Sequence, residues 1–318
     1  MSDLSVALPK GSRVLVTGLG GFLASHVAKQ LLDRGYKVRG TVRDPSANAW
    51  ITDEMFADAT QRGDLELVAL DFTTASPSTY ESAVKGVDGV LHVAAIQTFD
   101  PNPDNVIPHV VGSVTALLKA ASQEPTVKRF VYTSSSVAAF MPNPFSDETI
   151  MVRRDSWNDA ALAAVQTPQP NDPRMGGLVY MASKAAAEKA LWKFAAEDPP
   201  FVVNVVSPYT LIGPILHKSF VDKNLPSWVN QLYHGKVDYI QHLPARKSRM
   251  QPDLHLASNT RVTLSLLCQR QRRSTSSHCS PPRPRGSRRP YPGMMYSFQL
   301  EHSSVNVAEE VSGEEVHR

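Results

Sequence analysis

The first 245 residues alternate short apolar runs with stretches whose apolar residues recur at helical spacing. Residues 13–17 (RVLVT) predict a buried strand, and apolar residues then repeat every three or four positions as far as Gly35, where a helix would end. Further strands are predicted at 37–41, 65–70, 87–93, 129–133 and 201–206, with helices at 105–122 and 180–196. This alternation is typical of a doubly wound α/β fold, in which helices cover both faces of a parallel sheet.

A different composition begins near residue 246. Residues 246–290 carry 11 Lys or Arg and a single acid, and 274–290 contain few apolar residues. Such a segment cannot bury enough surface to offset its chain entropy. We therefore predict a domain at 1–245 and a basic, disordered tail at 246–318. Within the domain, 141–177 is rich in Pro, Asn and Asp and is predicted to be a long loop on the substrate side.

The overall composition excludes several classes of protein. With 42% hydrophobic and 20% charged residues, the chain is neither disordered throughout nor fibrous. Cys268 and Cys279 are its only cysteines, which argues against a disulfide scaffold and suits a reducing compartment. No apolar run reaches the roughly 18 residues of a membrane span, and no secretory signal is visible. We predict a cytoplasmic protein without membrane contact.

A glycine-rich turn follows the first predicted strand and opens the first helix. In the segment VTGLGGFLA, Gly18 and Gly21 allow the backbone to approach a pyrophosphate closely, and the small Ala24 allows the helix to pack on the strand. The N-terminus of the helix then offers unpaired N–H groups to the anion. The strand before and the helix after the turn favour dinucleotide binding in a Rossmann-like domain over a plain tight turn.

The end of the second strand bears on the choice of dinucleotide. An acidic residue there would hold the ribose 2′-hydroxyl of NAD, but this region contains Arg39 and Arg43. A guanidinium pairs well with phosphate, so the two arginines favour NADP. Asp44 keeps NAD possible.

Hydroxyl and amino groups predict the reacting end of the site. Tyr180 and Lys184 lie one helical turn apart on one face, and we expect the ammonium of Lys184 to lower the pKa of the Tyr180 phenol. Three serines, 134–136, follow the strand at 129–133, so they would lie at the carboxyl edge of the sheet, where such sheets bind ligands. One of these hydroxyls could hold a substrate carbonyl beside the tyrosine.

Together these motifs resemble the extended short-chain dehydrogenase/reductase family. The resemblance covers roughly residues 8–245 and rests on the segments VTGLGGFLASHVAKQLL, GYKVRGTVRD, VLHVAA, VKRFVYTSSSVAA, DSWN, YMASKAAAEKA and VVSPYTLIGP. Within the family the chain looks most like the dihydroflavonol-reductase-like branch and its fungal aldehyde and ketone reductases. The resemblance implies that NADPH reduces an aldehyde or ketone to an alcohol by hydride transfer.

The resemblance also implies a role for individual residues. The catalytic group comprises Ser135 to hold the carbonyl, Tyr180 as the proton donor and Lys184 to bind the nicotinamide ribose. The cofactor contacts are Gly18, Gly21, Phe22 and Leu23 at the pyrophosphate, Arg39 and Arg43 at the 2′-phosphate, Asp71 and Phe72 at the adenine, Val93, Ala94 and Ala95 along the cofactor, and Pro208 at the nicotinamide. His92 is expected to be packed at the sheet end rather than catalytic. No metal is expected.

Two alternatives to a reductase stay open at this stage. One is a sugar-nucleotide epimerase or dehydratase of the same family. The other is a catalytically weak NADP-binding remnant or sensor, because residues 246–318 replace the last strand and the substrate lid of the family. That altered C-terminus is explained either by a shifted reading frame or retained intron, or by a purposeful basic tail. We do not expect a nucleic-acid partner, because aromatic residues are scarce among its positive charges.

Overall fold

The structure is a computed structural model. It describes residues 7–141, 151–153, 155–169 and 171–220, together with short strands at 263–266, 270–271 and 296–299. Parts of the two predicted segments at 141–177 and 246–318 therefore lie outside the described residues. The boundary of the predicted domain at 245 lies outside them as well, so it stays a prediction.

Six parallel strands form the centre of the molecule. They are β1 (Arg13–Val16), β2 (Lys37–Val42), β3 (Leu65–Ala69), β4 (Gly89–His92), β5 (Arg129–Thr133) and β6 (Val202–Val206). Their order in the sheet is β3-β2-β1-β4-β5-β6. This order reverses at β1, so the carboxyl ends of β1 and β4 open a crevice between the two halves. The predicted doubly wound parallel sheet is confirmed.

Helices cover both faces of the sheet. They are α1 (Phe22–Asp33), α2 (Ala57–Gln61), α3 (Pro77–Val84), α4 (Ile107–Gln123), α5 (Asp159–Ala164) and α6 (Met175–Ala195). Buried residues of α1 and α2 share one apolar cluster with Val14 and Val16, and those of α3, α4 and α6 share a second with Leu15. Successive residues of β1 thus point to opposite faces, as the pleat of a strand requires.

The segment predicted as a loop at 141–177 contains helical structure. The side chain of Asn158 accepts from the Ala161 N–H at 3.0 Å and caps α5. Helix α6 begins at Met175, five residues before the expected start, and Met175 is buried in the core. Local composition predicts the loop, but capping and burial against the core stabilise helix at both places.

Four further strands lie beyond β6. β7 (Pro208–Ile212) forms a small sheet with β8 (Thr263–Leu266) and β10 (Tyr296–Gln299), and β9 (Arg270–Gln271) pairs antiparallel with β6. The last three fall within 246–318, where composition predicts no regular structure. These strands are held by backbone hydrogen bonds to other strands, which cannot be predicted from amino-acid composition. Apart from these strands, 221–318 lies outside the described residues, so the predicted tail stays a prediction there.

Candidate active site

The glycine turn joins β1 to α1 beside the end of β4. Gly18 has a φ of +71°, which favours glycine, and a Cβ there would lie 3.1 Å from the Cα of Ala94. Its amide donates to Thr41 Oγ1 at 3.1 Å, and the amide of Gly21 donates to the Gly18 carbonyl at 2.8 Å. The turn is therefore fixed to β2 and held against the chain after β4, and a side chain at Gly18 would be strained by its positive φ and crowded against Ala94.

The N-terminus of α1 lies at the end of this turn. The helix begins at Phe22, Gly21 precedes it, and neither a capping side chain nor an acidic residue occupies its first turn. The first N–H groups of a helix have no partner within it and carry positive partial charge. Gly18, Gly21, Phe22 and Leu23 are thus brought together at a site that fits a pyrophosphate.

The two arginines predicted for the 2′-phosphate have different surroundings. Arg39 donates through Nε to Glu66 at 2.8 Å and through one terminal nitrogen to the carbonyls of Ala83 and Lys85, at 3.1 and 2.6 Å. Its side chain is only 12% exposed. Because Arg39 lies within β2 rather than at its end, its guanidinium binds the C-terminal end of α3. These contacts do not support the predicted role of Arg39 at the 2′-phosphate, which stays a prediction.

Arg43 lies one residue beyond β2 and is exposed. Hydrogen bonds from Thr73, with a smaller contribution from the positive charge of Arg43, lower the pKa of Asp71. Asp71 itself follows β3, while Phe72 packs against Tyr80 and His92, with ring centroids 6.0 and 5.2 Å away. Arg43 and Asp71 thus lie together at the carboxyl edge, and partly buried Phe72 packs against the core beside them.

Asp44 is engaged in its own loop. One carboxylate oxygen, Oδ1, accepts from the backbone N–H of Ser46 at 2.8 Å and from the Ser46 hydroxyl at 2.6 Å. The side chain of Asn48 donates to the Asp44 carbonyl, and a Cβ on Gly20 would lie 3.2 Å from Asn48 Oδ1. Asp44 therefore shapes a loop that leans on the glycine turn, with Asn48 as a neighbour that sequence analysis missed.

The hydroxyl of Thr17 ties the end of β4 to the glycine turn. It accepts from the backbone N–H groups of Val93 and Ala94, each at 2.9 Å, and contacts His92 Nδ1 at 2.9 Å. Thr17 and His92 are both buried, and burial lowers the pKa of His92 to about 3. His92 is therefore neutral and packed, as expected, and Thr17 is a second residue that sequence analysis missed.

Helix α6 and the end of β5 bring the three predicted catalytic residues together. The phenol of Tyr180 lies near the side chains of Ser135 and of Gln97, which follows β4, and both side chains favour its anion. Lys184 Nζ lies 6.0 Å from the centroid of the Tyr180 ring and 5.7 Å from that of Tyr132. A hydroxyl pair beside a buried amine can hold a polar oxygen and exchange a proton with it.

The electrostatics of this cluster differ from the expectation in one respect. Burial raises the pKa of Tyr180, and the hydrogen bonds with Gln97 and Ser135 oppose that rise. Burial also lowers the pKa of Lys184 to about 8, against the opposing effect of Glu188. The expected lowering of the Tyr180 pKa by Lys184 is thus wrong here, because removing a phenol from water disfavours its anion.

An exposed aromatic ring lies beside Tyr180. Phe99, which is 58% exposed, has a φ of +52°, and its ring centroid is 5.5 Å from that of Tyr180. A Cβ on Gly176 would overlap the Phe99 carbonyl, so the glycine in α6 permits the loop to approach. On the other side of the site, Pro208 is buried at the start of β7, and Ala95 is exposed after β4.

The order of the parallel sheet and the glycine turn at its switch point define a Rossmann-type dinucleotide-binding protein. Residues 14–251 match the sequence model of the NAD dependent epimerase/dehydratase family. The chain belongs to that family, and the resemblance found in the sequence is confirmed.

Three similar proteins give the relationship more detail. The chain is 39% identical to aldehyde reductase 2 of Sporidiobolus salmonicolor over 234 residues, which cover 73% of this chain and 67% of that protein. It is 41% identical to the NAD-dependent epimerase/dehydratase terH of Aspergillus terreus over 216 residues, 68% of this chain and 62% of that protein. The crystal structure of yeast methylglyoxal/isovaleraldehyde reductase Gre2 with NADPH is similar at a TM-score of 0.59 and 26% identity, covering 70% of this chain and 65% of Gre2. This chain therefore spans at most about two thirds of the length of each relative.

Two further features concern only the part of the chain that the structure describes. No group of three or more His, Cys, Asp or Glu side chains there is arranged to hold a metal ion. No helix there is long and apolar enough to cross a membrane. The cytoplasmic location stays a prediction.

Proposed function

We propose that this protein reduces an aldehyde or ketone to an alcohol at the expense of NADPH. One observation carries the proposal: the Tyr180 phenol lies between the Ser135 side chain, which favours its anion, and the buried amine of Lys184, 6.0 Å from the ring centroid. These residues lie at the carboxyl edge of the same sheet whose glycine turn fits a pyrophosphate. The similarity to an aldehyde reductase and to Gre2 supports the same chemistry.

The residues that would hold the cofactor lie along the sheet edge. The turn at Gly18 and Gly21 and the first N–H groups of α1 would bind the pyrophosphate. Arg43 would bind the 2′-phosphate, Asp71 the adenine end and Lys184 the nicotinamide ribose. When bound, NADPH supplies the hydride for the substrate carbonyl carbon.

The protein residues supply the proton. As the carbonyl oxygen gains negative charge, the Tyr180 hydroxyl gives it a proton, and the Ser135 hydroxyl donates a hydrogen bond to the same oxygen. The raised pKa of Tyr180 keeps the phenol protonated before the reaction, which a proton donor requires. The Gln97 and Ser135 side chains, which favour the phenolate, hold it until solvent returns a proton.

A direct test follows the oxidation of NADPH by absorbance with a panel of aliphatic and aryl aldehydes and ketones. Tyr180→Phe should lower kcat by about 10²- to 10⁴-fold, because the proton donor is lost. Tyr36→Phe is the matched control, since its hydroxyl donates to the Leu8 carbonyl in the loop before β1. Equal turnover by Tyr180→Phe and wild type, or no turnover of any carbonyl by wild type, would reject the proposal.

The preference for NADPH is proposed to depend on Arg43 alone. Asp44 is occupied within its loop and Arg39 binds Glu66 and α3, so neither competes for the ribose. Loss of a charged hydrogen bond of about 1.5–3 kcal/mol weakens binding about 10- to 150-fold. Arg43→Ala should therefore weaken NADPH binding by about that factor and leave NADH binding unchanged.

Arg39→Ala is the internal control for this test. It should leave the ratio of NADPH to NADH affinity unchanged and lower the free energy of unfolding by about 2 kcal/mol, because it releases two carbonyls and the Glu66 carboxylate. Fluorescence titrations with both dinucleotides measure the ratio. A change of preference in Arg39→Ala, with none in Arg43→Ala, would reverse the assignment.

A further inference from the structure

Helix α6 contains a buried carboxylate that the proposed reaction does not use. Glu188 is 2% exposed. Its Oε2 accepts from the Ser134 hydroxyl at 2.6 Å, and its Oε1 accepts from Trp192 Nε1 at 3.2 Å. Carboxylates are rarely buried to this extent unless they are hydrogen-bonded and face a positive charge.

The positive charge lies one helical turn away. Tyr180, Lys184 and Glu188 are spaced four residues apart, so they form one stripe along α6. Lys184 is 4% exposed, which makes it as buried as its neighbour. Removing one member of such a buried pair leaves the other charge uncompensated and is strongly unfavourable.

The other groups that face Lys184 are not anions. His92, from β4, is neutral, and Tyr132, from β5, and Tyr180 are phenols whose pKa values are raised by burial. The titratable residues of the neighbouring helices are exposed; these are His109 and Lys119 on α4 and Asp159 on α5. Glu188 is thus the anion that opposes the loss of the Lys184 proton among the described residues.

The hydrogen bond to Ser134 has a second consequence. Ser134 and Ser135 are adjacent, and the first contacts Glu188 while the second contacts Tyr180. Two successive residues at the end of β5 are therefore tied to two positions on α6 that lie two turns apart. This fixes which serine hydroxyl meets the phenol.

We propose that Glu188 is a positioning residue, which keeps Lys184 in its ammonium form and holds Ser134 so that Ser135 faces Tyr180. The inference deepens the proposed reductase function and rests on it for its catalytic meaning. Its physical content, a buried charge pair along one helix, can be tested without substrate or cofactor.

The decisive experiment measures the protonation of Lys184 itself. In protein labelled with ¹³C at the lysine Cε, the NMR signal of Lys184 is assigned by its loss in Lys184→Met and followed against pH. The pKa of Lys184 is about 8 in the wild type, and Glu188→Gln should lower the titration midpoint by at least about one unit, because the carboxylate favours the charged amine. Asp159→Asn, which removes an exposed acid that pairs with Lys189, should not move the midpoint. An unchanged midpoint in Glu188→Gln overturns the proposal.

A double-mutant cycle in unfolding free energy tests the same charge pair if Glu188→Gln folds poorly. In the Lys184→Met background no amine needs a counter-charge, so adding Glu188→Gln should cost less stability than it does in the wild type. Urea denaturation of the four proteins measures this difference, and failure of Glu188→Gln alone to fold counts as the larger cost. An equal cost in both backgrounds contradicts the proposal.

The role of Ser134 is tested by measuring kcat and KM in a Ser134 variant. Ser134→Ala should leave the Lys184 midpoint in place and lower kcat about tenfold with KM nearly unchanged, since Ser135 is less well oriented toward the reacting oxygen. If Ser134 had only a structural role, Ser134→Ala would lower the free energy of unfolding without lowering kcat at constant KM. If no carbonyl is reduced, the Lys184 titration and the stability cycle still test the Lys184–Glu188 charge pair. The proposed reductase function and the proposed role of Glu188 can therefore fail independently.

Discussion

Replacing Thr17 by valine tests the junction between the glycine turn and β4. The substitution nearly preserves volume but removes an oxygen that is fully buried. That oxygen accepts two backbone N–H groups, from Val93 and Ala94, so its own hydrogen is directed at His92 Nδ1. It follows that neutral His92 carries its proton on Nε2.

The expected magnitude follows from the number of groups left unpaired. Three polar partners lose a hydrogen bond at once, one on buried His92 and two on half-buried Val93 and Ala94, and each costs about 1–3 kcal/mol when nothing replaces the lost partner. The lower end gives a loss of about 3 kcal/mol in the free energy of unfolding. With a urea slope of about 2 kcal/mol per molar, the midpoint should fall by about 1.5 M.

Urea denaturation followed by circular dichroism measures the change, and Thr17→Ser is the matched control. Serine keeps the hydroxyl and loses one methyl group, which should cost about 1 kcal/mol. NADPH affinity should fall in Thr17→Val as well, because Ala94 contacts Gly18 in the turn. If Thr17→Val and Thr17→Ser were equally stable, the hydrogen-bond argument would be refuted.

Two other predictions concern the neighbourhood of Tyr180 and the core. Gly176→Ala should lower kcat/KM, since its Cβ overlaps the Phe99 carbonyl, whereas Gly177→Ala meets nothing within 4 Å and should stabilise α6 by about 0.5 kcal/mol; equal kinetics for both variants would contradict this. His92 has a pKa of about 3 when folded and 6.5 in its ordinary range, so the unfolded state binds its proton first as pH falls. Its contribution to stability is present above pH 6.5 and is lost toward pH 3 at up to about 1.4 kcal/mol per unit, and His92→Gln should flatten the measured stability over this window.

Some features of the site can be predicted from short stretches of sequence. The strand before VTGLGGFLA and the helix after it are visible as an apolar run followed by helical spacing, and the turn lies where these predict it. The same holds for Tyr180 and Lys184, because residues four apart on a helix share a face. These predictions succeed since the groups involved are neighbours along the chain.

The contacts of Arg39 cannot be read from its neighbours in the sequence. Its sequence neighbourhood resembles that of Arg43, yet Arg39 lies within β2 and meets a helix end that is more than 40 residues away. Composition also predicts a loop where α5 and the start of α6 form, because burial of Met175 and the Asn158 cap cannot be read from local propensity. Glu188 is the single acidic residue of α6, but nothing near it in the chain identifies Ser134 as its hydrogen-bond partner.

The sequence by itself determined the alternation of strands and helices, the glycine turn and the spacing of Tyr180 and Lys184. Each depends on residues within about two helical turns of one another, whose geometry follows from backbone periodicity. Only the tertiary structure decided that Arg39 binds α3, that Thr17 holds the end of β4 and that Ser134 meets Glu188. Those pairs join segments far apart in the chain, and their contacts are set by how the helices pack on the sheet.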